Sequence, residues 1–235
     1  MIAISLEEGD QLRWVRPARE EDSILIGSRQ GMAIHFKADH KQLRPLSRST
    51  KGVKSMRLRK NDELISMDIL PSQVVAAIDA ASDLEDDESE EVSNEEANFA
   101  PWLLNITKNG YGKRVPVKKF RLQNRAGMGV RAIKFKSKED CLAAIHVVNP
   151  DEELMIVTNR GIIIRQSVDA ISLQSRSATG VRVQKLDKDD AIAAVALVPL
   201  TNDEEEEENQ ESETVNSESQ ETELTEATET QEETT

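Results

Sequence analysis

A short basic pattern occurs three times in this chain, and each copy is centred on one glycine. The copies are residues 47–54, 124–131 and 175–182. In each, an Arg stands four residues before the glycine, a Val follows it, and Lys or Arg occupies the second and fifth positions after it. Apart from an insertion at 80–100, the period is about fifty residues, which is typical of stacked supersecondary units such as propeller blades. A cation that returns once per unit favours a long anionic partner.

Each repeat also predicts about four short β-strands. An acidic turn and an apolar segment follow the basic segment, and two further Val/Ile-rich segments flank a turn glycine at Gly31, Gly110 or Gly161. The Asn-Gly or Arg/Asn-x-Gly context of these glycines suits tight hairpins with positive φ. Four-stranded units repeated around an axis are the blades of a β-propeller. The sequence therefore predicts an all-β chain, a partial propeller of about three four-stranded blades over residues 1–79 and 101–200.

The acidic residues are segregated from the basic repeats. The chain of 235 residues has a formal net charge of −14. Residues 79–96 hold ten Asp/Glu and residues 201–235 hold fifteen, with no Lys or Arg in either stretch. The remainder keeps 19 acidic and 30 basic residues, a net charge of +11. Because such acidic segments cannot bury enough surface to fold, we expect a disordered loop at 80–100 and a disordered tail at 201–235.

The register of the repeats predicts that the chain is the C-terminal part of a longer protein. Met1 aligns with Val53, Val130 and Val181, so the chain holds the end of one repeat and three more, fewer than a closed propeller uses. The start lacks the basic and apolar regions of a signal peptide, and no segment is long enough to cross a membrane. The single cysteine, Cys141, excludes an intrachain disulfide. We therefore expect a cytoplasmic protein.

Two further stretches carry a recognisable pattern, residues 109–117, NGYGKRVPV, and residues 120–125, FRLQNR. They resemble the C-terminal domain of the DNA gyrase A subunit. The recurring Arg-x-x-x-Gly-Val pattern and the Glu-Gly-Asp turn at Glu8 support the resemblance, which covers roughly residues 1–199 apart from the insertion. It implies a six-bladed propeller, or pinwheel, whose basic rim wraps duplex DNA in a positive sense. It also implies that the DNA-cleaving tyrosine lies in another part of the gyrase A protein.

The chain departs from the family at its signature box, Gln-Arg-Arg-Gly-Gly-x-Gly. That box lies in the first blade, which is absent here, and residues 123–129 resemble a degenerate copy that keeps Gln, one Arg and two Gly. The related A subunit of topoisomerase IV therefore stays an alternative, although the Tyr-Gly-Lys-Arg stretch and the acidic tail favour gyrase. The partners implied are duplex DNA, the rest of the gyrase A protein and the gyrase B protein, on a bacterial chromosome.

The repeated cations are the candidate DNA contacts, because Lys and Arg bind phosphates without reading sequence. With aromatic residues at 3%, stacking on single strands is disfavoured. The alternative is that these cations merely decorate solvated strand edges. Cations three residues apart lie on opposite faces of a regular strand, so both reach DNA only if the strand twists, bulges or lies at the rim. The candidates are Arg48, Lys51, Lys54, Arg57, Lys113, Arg114, Arg121, Arg125, Arg131, Lys134, Arg176, Arg182 and Lys185.

No pattern in the sequence predicts catalysis or metal binding. Tyr111, the only tyrosine, lies in a hairpin without a nearby acidic cluster, and we expect it to pack on its strand. His35, His40 and His146 lack metal-ligand spacing. The resemblance thus implies non-sequence-specific wrapping of duplex DNA within an ATP-dependent type IIA topoisomerase that introduces supercoils, with no catalytic residue or cofactor in this chain. The rival function is a propeller scaffold that binds acidic proteins.

Overall fold

The computed structural model describes residues 3–80 and 100–198, and these form eleven β-strands, one α-helix and a 3₁₀ turn at Val117–Lys119. The prediction of a β-rich chain is confirmed. The acidic insertion and the acidic tail lie outside the described residues, except for Ala80 and Ala100 at the ends of the insertion. The strands are β1 Ser23–Ser28, β2 Met32–Lys37, β3 Leu64–Leu70, β4 Trp102–Thr107, β5 Tyr111–Pro116, β6 Val130–Arg131, β7 Leu142–Val148, β8 Glu153–Thr158, β9 Ile163–Ser167, β10 Val181–Arg182 and β11 Ile192–Val198.

Three antiparallel hairpins, β1–β2, β4–β5 and β8–β9, form the centres of three sheets. Each hairpin turns at a glycine with positive φ, as the sequence predicts, because a side chain is disfavoured in that conformation. The glycine N–H donates to the carbonyl three residues earlier at 3.0 to 3.1 Å. These residues are Gly31, Gly110 and Gly161, with φ of 79°, 81° and 81°.

A repeat contributes one strand to the sheet of the repeat before it, and we call such a strand exchanged. The sheet orders among the described residues are β3-β1-β2-β6, β10-β5-β4-β7 and β11-β8-β9. In the first sheet β6 comes from the second repeat, and in the second sheet β10 comes from the third repeat. The expectation of an all-β partial propeller of about three blades is confirmed. Among the described residues two sheets have four strands and the third has three, and in both four-stranded sheets the fourth strand is the basic strand of the following repeat.

The repeat glycine permits this exchange. A Cβ added to Gly129 would lie 2.3 Å from the carbonyl oxygen of Ala33 in β2. A Cβ added to Gly180 would lie 2.6 Å from the carbonyl oxygen of Gly112 in β5. Both distances are far inside van der Waals contact. Gly129 and Gly180 therefore let β6 and β10 approach the main chain of the preceding blade.

The core lies between successive sheets. Leu103 of β4 belongs to a buried cluster that includes Leu25 of β1, and its neighbour Leu104 belongs to a second cluster that includes Ile156 of β8. The middle sheet is thus covered on both faces, which is why every residue of β4 is buried. On β9, at the edge of the third sheet, burial alternates and Ile163 is 62% exposed.

One helix, α1 Ser72–Ala80, was not predicted from the sequence. It follows Pro71, and the backbone N–H of Ser72 donates to Asp22 Oδ1 at 3.0 Å. Val75 lies in the core between the first and second sheets, which anchors the helix. Neither this helix nor any other part of the described chain forms a helix long and apolar enough to span a bilayer.

Candidate nucleic-acid interface

The basic strands are so short that their two cations escape the alternation of a regular strand. β6 and β10 are two residues long, and Arg131 and Arg182 are their second residues. Lys134 and Lys185 lie beyond the ends of these strands, where side chains no longer alternate between faces. Arg131, Lys134 and Arg182 are exposed, as is Lys185. Cations at the second and fifth positions can therefore both face the same ligand.

One backbone hydrogen bond recurs at three junctions between repeats, and two of its three donors are the fifth-position cations Arg57 and Lys134. The donor is the backbone N–H of the residue at the fifth position after the repeat glycine, with which Ser5 aligns. The acceptor is the carbonyl of the residue that stands two positions before the next repeat glycine. The three bonds are Ser5 to Thr50 at 3.1 Å, Arg57 to Gly127 at 2.8 Å and Lys134 to Ala178 at 3.2 Å. Because the same contact joins each repeat to the next, equivalent side chains recur at equivalent places from blade to blade.

Most of the candidate residues lie at the surface. Lys51 is exposed and forms an ion pair with Glu7 at 2.8 Å, which lowers the pKa of that carboxyl. Arg176 is half-buried. We use the name rim cations for the eight exposed candidates other than Lys51. They are Arg48, Lys54, Arg57, Arg121, Arg131, Lys134, Arg182 and Lys185.

Arg125 is half-buried and holds two loops together. Its Nε donates to the Gln42 carbonyl at 2.6 Å, and its guanidinium also donates to the Lys54 carbonyl at 3.0 Å. The Arg four residues before the repeat glycine therefore orders the backbone that carries a rim cation of the preceding repeat.

The expectation that Lys113 contacts DNA is corrected by its burial. Its side chain lies on β5, 0% exposed, and Nζ donates to the Ser175 carbonyl at 2.5 Å and the Arg176 carbonyl at 2.8 Å. Burial, with a smaller contribution from the positive charge of Arg176, lowers the pKa of Lys113 to about 7. A neutral amine still has two hydrogens for the two carbonyls. Lys113 therefore joins β5 to the loop of the next repeat and has no access to a phosphate.

Arg114 is corrected in the same way, since it is 7% exposed. Its Nε donates to the Ile171 carbonyl at 2.6 Å, and its guanidinium donates to Asp169 Oδ1 and to the Asp169 carbonyl, each at 2.9 Å. The guanidinium also lies 4.3 Å from the centre of the Trp102 ring. These contacts occupy the guanidinium, so Arg114 ties the third repeat to the second sheet.

His35 occupies in the first hairpin the position that Arg114 occupies in the second. Its Nδ1 lies 2.8 Å from the Phe120 carbonyl, and its Nε2 lies 2.6 Å from the hydroxyl of Ser23. Phe120 and Ile171 each stand nine residues before a repeat glycine. A polar side chain at this hairpin position therefore binds the same carbonyl of the following repeat in both blades.

Tyr111 does not pack on its strand as expected. It is half-exposed, and its hydroxyl oxygen lies 3.1 Å from Lys136 Nζ and 3.1 Å from Arg182 Nη2. The same cations lie 4.9 Å and 5.5 Å from the centre of its ring. The hydrogen bonds from Lys136 and Arg182 lower the pKa of the phenol. Lys136 is absent from the sequence-based candidates because it stands outside the repeated positions.

A family model of the DNA gyrase C-terminal domain, a β-propeller, matches residues 22–71, 101–149 and 152–199. The chain belongs to this family. The first match contains β1 to β3, the second β4 to β7 and the third β8 to β11, so each match corresponds to one blade except that β6 and β10 join the sheet of the preceding match.

Curated relatives are also gyrase A proteins. The chain is 68% identical over 198 residues to the DNA gyrase A subunit of Synechocystis sp., a match that covers 82% of this chain and 23% of that protein. It is 39% identical over 195 residues to the chloroplastic/mitochondrial DNA gyrase A subunit of Arabidopsis thaliana, over 80% of this chain and 20% of that protein. The chain therefore spans about a fifth to a quarter of the length of these relatives.

Solved structures share the fold. A DNA gyrase A C-terminal domain aligns with a TM-score of 0.65 and 22% identity, over 85% of this chain and 58% of that chain. A DNA topoisomerase IV C-terminal domain aligns with a TM-score of 0.65 and 18% identity, over 83% and 52%. The propeller is thus common to both enzymes, and the sequence relatives favour gyrase over topoisomerase IV.

In the part of the chain that the structure describes, no group of three or more His, Cys, Asp or Glu side chains could hold a metal ion. The features of this family member that remain as a candidate interface are therefore the rim cations and the cluster around Tyr111.

Proposed function

We propose that this chain binds and wraps duplex DNA as the C-terminal domain of a gyrase-type topoisomerase. The observation that carries the proposal is the register of the rim cations. The same backbone bond places the fifth-position residue against the next repeat at three successive junctions, and at two of them that residue is a rim cation, Arg57 or Lys134. A duplex that crosses several blades would meet exposed Lys or Arg at regular intervals, and binding would release counterions from its phosphates.

The contacts favour binding without base readout. The rim cations lie on two-residue strands and on loops, and an element that reads the major groove is usually a helix or a β-ribbon. The helix α1 has the sequence SQVVAAIDA, which contains no Lys or Arg. Sequence-independent phosphate contact is therefore the mode that these residues support.

The chain spans about a fifth to a quarter of its relatives, so the chemistry of the whole enzyme is assigned to other parts. We propose that the rest of the gyrase A protein and the gyrase B protein cleave DNA and hydrolyse ATP. This domain bends the DNA and sets the handedness of the wrap. On this proposal the chain itself contributes no catalytic residue or cofactor, and acts in the cytoplasm on the bacterial chromosome.

The direct test is a titration of the full chain with duplexes of increasing length over a range of salt concentrations. Wrapping predicts an affinity that grows with duplex length and falls steeply with salt. A scaffold for acidic proteins predicts neither. Affinity that depends on neither length nor salt would overturn the proposal.

A double charge reversal identifies the contacts. Arg131→Glu/Lys134→Glu is expected to weaken binding to all duplex sequences alike, and to reduce the salt slope by about two, one per lost phosphate contact. Lys37→Glu/Lys41→Glu is the matched control, because both lysines are exposed and Lys37 ends β2 at the end opposite Met32, which pairs with Arg131. The control should leave the slope nearly unchanged. Equal slopes for both folded variants would remove Arg131 and Lys134 from the interface.

A further inference from the structure

Three polar side chains from three segments converge at one place on the second sheet. Tyr111 begins β5, Arg182 lies directly across from it on β10, and Lys136 follows β6. Lys136 Nζ and Arg182 Nη2 each lie 3.1 Å from the same phenol oxygen. All three groups are accessible to solvent.

The hydrogen-bond capacity of this cluster is incompletely used. A phenol oxygen has two lone pairs, and the two cations occupy both. The hydroxyl hydrogen of Tyr111 must therefore point to a third acceptor. Lys136 and Arg182 likewise keep most of their N–H donors, and no carboxylate among the described residues pairs with either. Two positive charges are thus held close together and face solvent, with no counter-anion from residues 3–80 or 100–198.

We propose that Lys136, Tyr111 and Arg182 form a phosphate clamp that takes one backbone phosphate of bound duplex DNA. The phosphate accepts from the phenol O–H and from free N–H groups of both cations, and its negative charge offsets the repulsion between them. The phenol is a neutral donor that holds two mutually repelling cations around one anion. The clamp rests on the proposed function, and it assigns one contact between this domain and the DNA backbone.

The first blade shows the same register without a clamp. Met32 pairs with Arg131 across β2 and β6 in the way that Tyr111 pairs with Arg182 across β5 and β10. A methionine offers no O–H donor, and in the third repeat the equivalent residue is Ile162. The clamp is therefore specific to the middle of the three hairpins, and Arg131 serves as an internal comparison for Arg182.

Tyr111→Phe in the full chain tests the clamp, since it removes the hydroxyl and keeps the ring. We expect the affinity for a long duplex to fall about tenfold or more, as for one lost hydrogen bond to a charged group, with the salt slope unchanged. Lys136→Gln and Arg182→Gln are each expected to reduce the salt slope by about one. Lys138→Gln, an exposed lysine two residues from the clamp, is the charge-matched control and should have a smaller effect.

A spectroscopic readout separates the clamp from general charge effects. Tyr111 is the only tyrosine, so ¹³C-labelled tyrosine gives a single Cζ resonance that reports on this phenol. We expect duplex binding to raise the phenol pKa relative to the free chain, because a nearby phosphate opposes formation of the phenolate. Lys138→Gln should keep this rise, whereas Arg182→Gln should reduce it.

The outcomes distinguish the two proposals. Duplex binding with an unchanged phenol titration, or with a Tyr111→Phe affinity within twofold of the parent chain, would overturn the clamp and leave the proposed function standing. Absence of duplex binding even at low salt would overturn both.

Discussion

Replacement of Gly129 by Ala should destabilise the fold more than replacement of Gly52, although both glycines occupy the same repeat position. Gly129 has a φ of 72°, and an added Cβ would lie 2.3 Å from the Ala33 carbonyl oxygen. Gly52 has a φ of 79°, but the same atom would meet Ile4 Cδ1 at 3.9 Å, an ordinary contact. Gly52→Ala is therefore a matched control with the same backbone strain and no clash.

The expected loss of stability has two contributions, the backbone strain of positive φ and the steric clash of the added Cβ. Positive φ costs an alanine about 1 kcal/mol, and this cost applies to both variants. The clash at Gly129 is roughly 1 Å inside van der Waals contact, and its partner is main chain, which cannot rotate away. Relief requires β6 to leave β2, with loss of about two backbone hydrogen bonds worth about 1 kcal/mol each. We expect losses of about 3 kcal/mol for Gly129→Ala and about 1 kcal/mol for Gly52→Ala.

Urea unfolding of the full chain, followed by circular dichroism, measures both values. In a domain of this size each kcal/mol shifts the melting temperature by about 2 to 4 °C, so the variants should melt roughly 4 to 8 °C apart. Gly129→Ala should also weaken duplex binding, because Arg131 would be displaced with β6. Equal destabilisation of the two variants, within about 0.5 kcal/mol, would refute the steric argument.

Three further outcomes are expected. Lys113→Met should lower the free energy of unfolding by about 1 to 3 kcal/mol, because two carbonyls of the next repeat lose their donor. Since Lys113 has a pKa of about 7 when folded and a higher one when unfolded, the parent chain should gain stability relative to Lys113→Met as pH rises above 7 in a urea series. Truncation after Leu200 should raise duplex affinity, most at low salt, because a tethered polyanion competes with DNA; equal affinities across a salt series would indicate an inert tail. The full chain should self-associate through the outer edge of β9, where Ile163 is 62% exposed, and light scattering that shows a monodisperse monomer would contradict this.

Local sequence signals predicted the hairpins and the repeat. A turn glycine such as Gly110 is required wherever the chain reverses with positive φ, and that requirement depends on few neighbours. The spacing of Gly52, Gly129 and Gly180 identified the repeated unit, and the family match over three segments confirms it. The offset of Arg131 and Lys134 left two geometries open for the basic strand, and a two-residue strand resolved them.

The sequence by itself determined the β-rich fold, the number of repeats and the segregation of charge, because these follow from patterns within one repeat. Only the tertiary structure decided which cations stay at the surface. Lys113 and Arg114 are adjacent in a strand that is covered on both faces, so each is buried against a different neighbour and bonded to carbonyls of the next repeat. Tyr111, by contrast, lies at the start of that strand, where Lys136 and Arg182 from other segments reach it. Burial and cation pairing depend on residues distant in the chain, and no pattern within a single repeat specifies them.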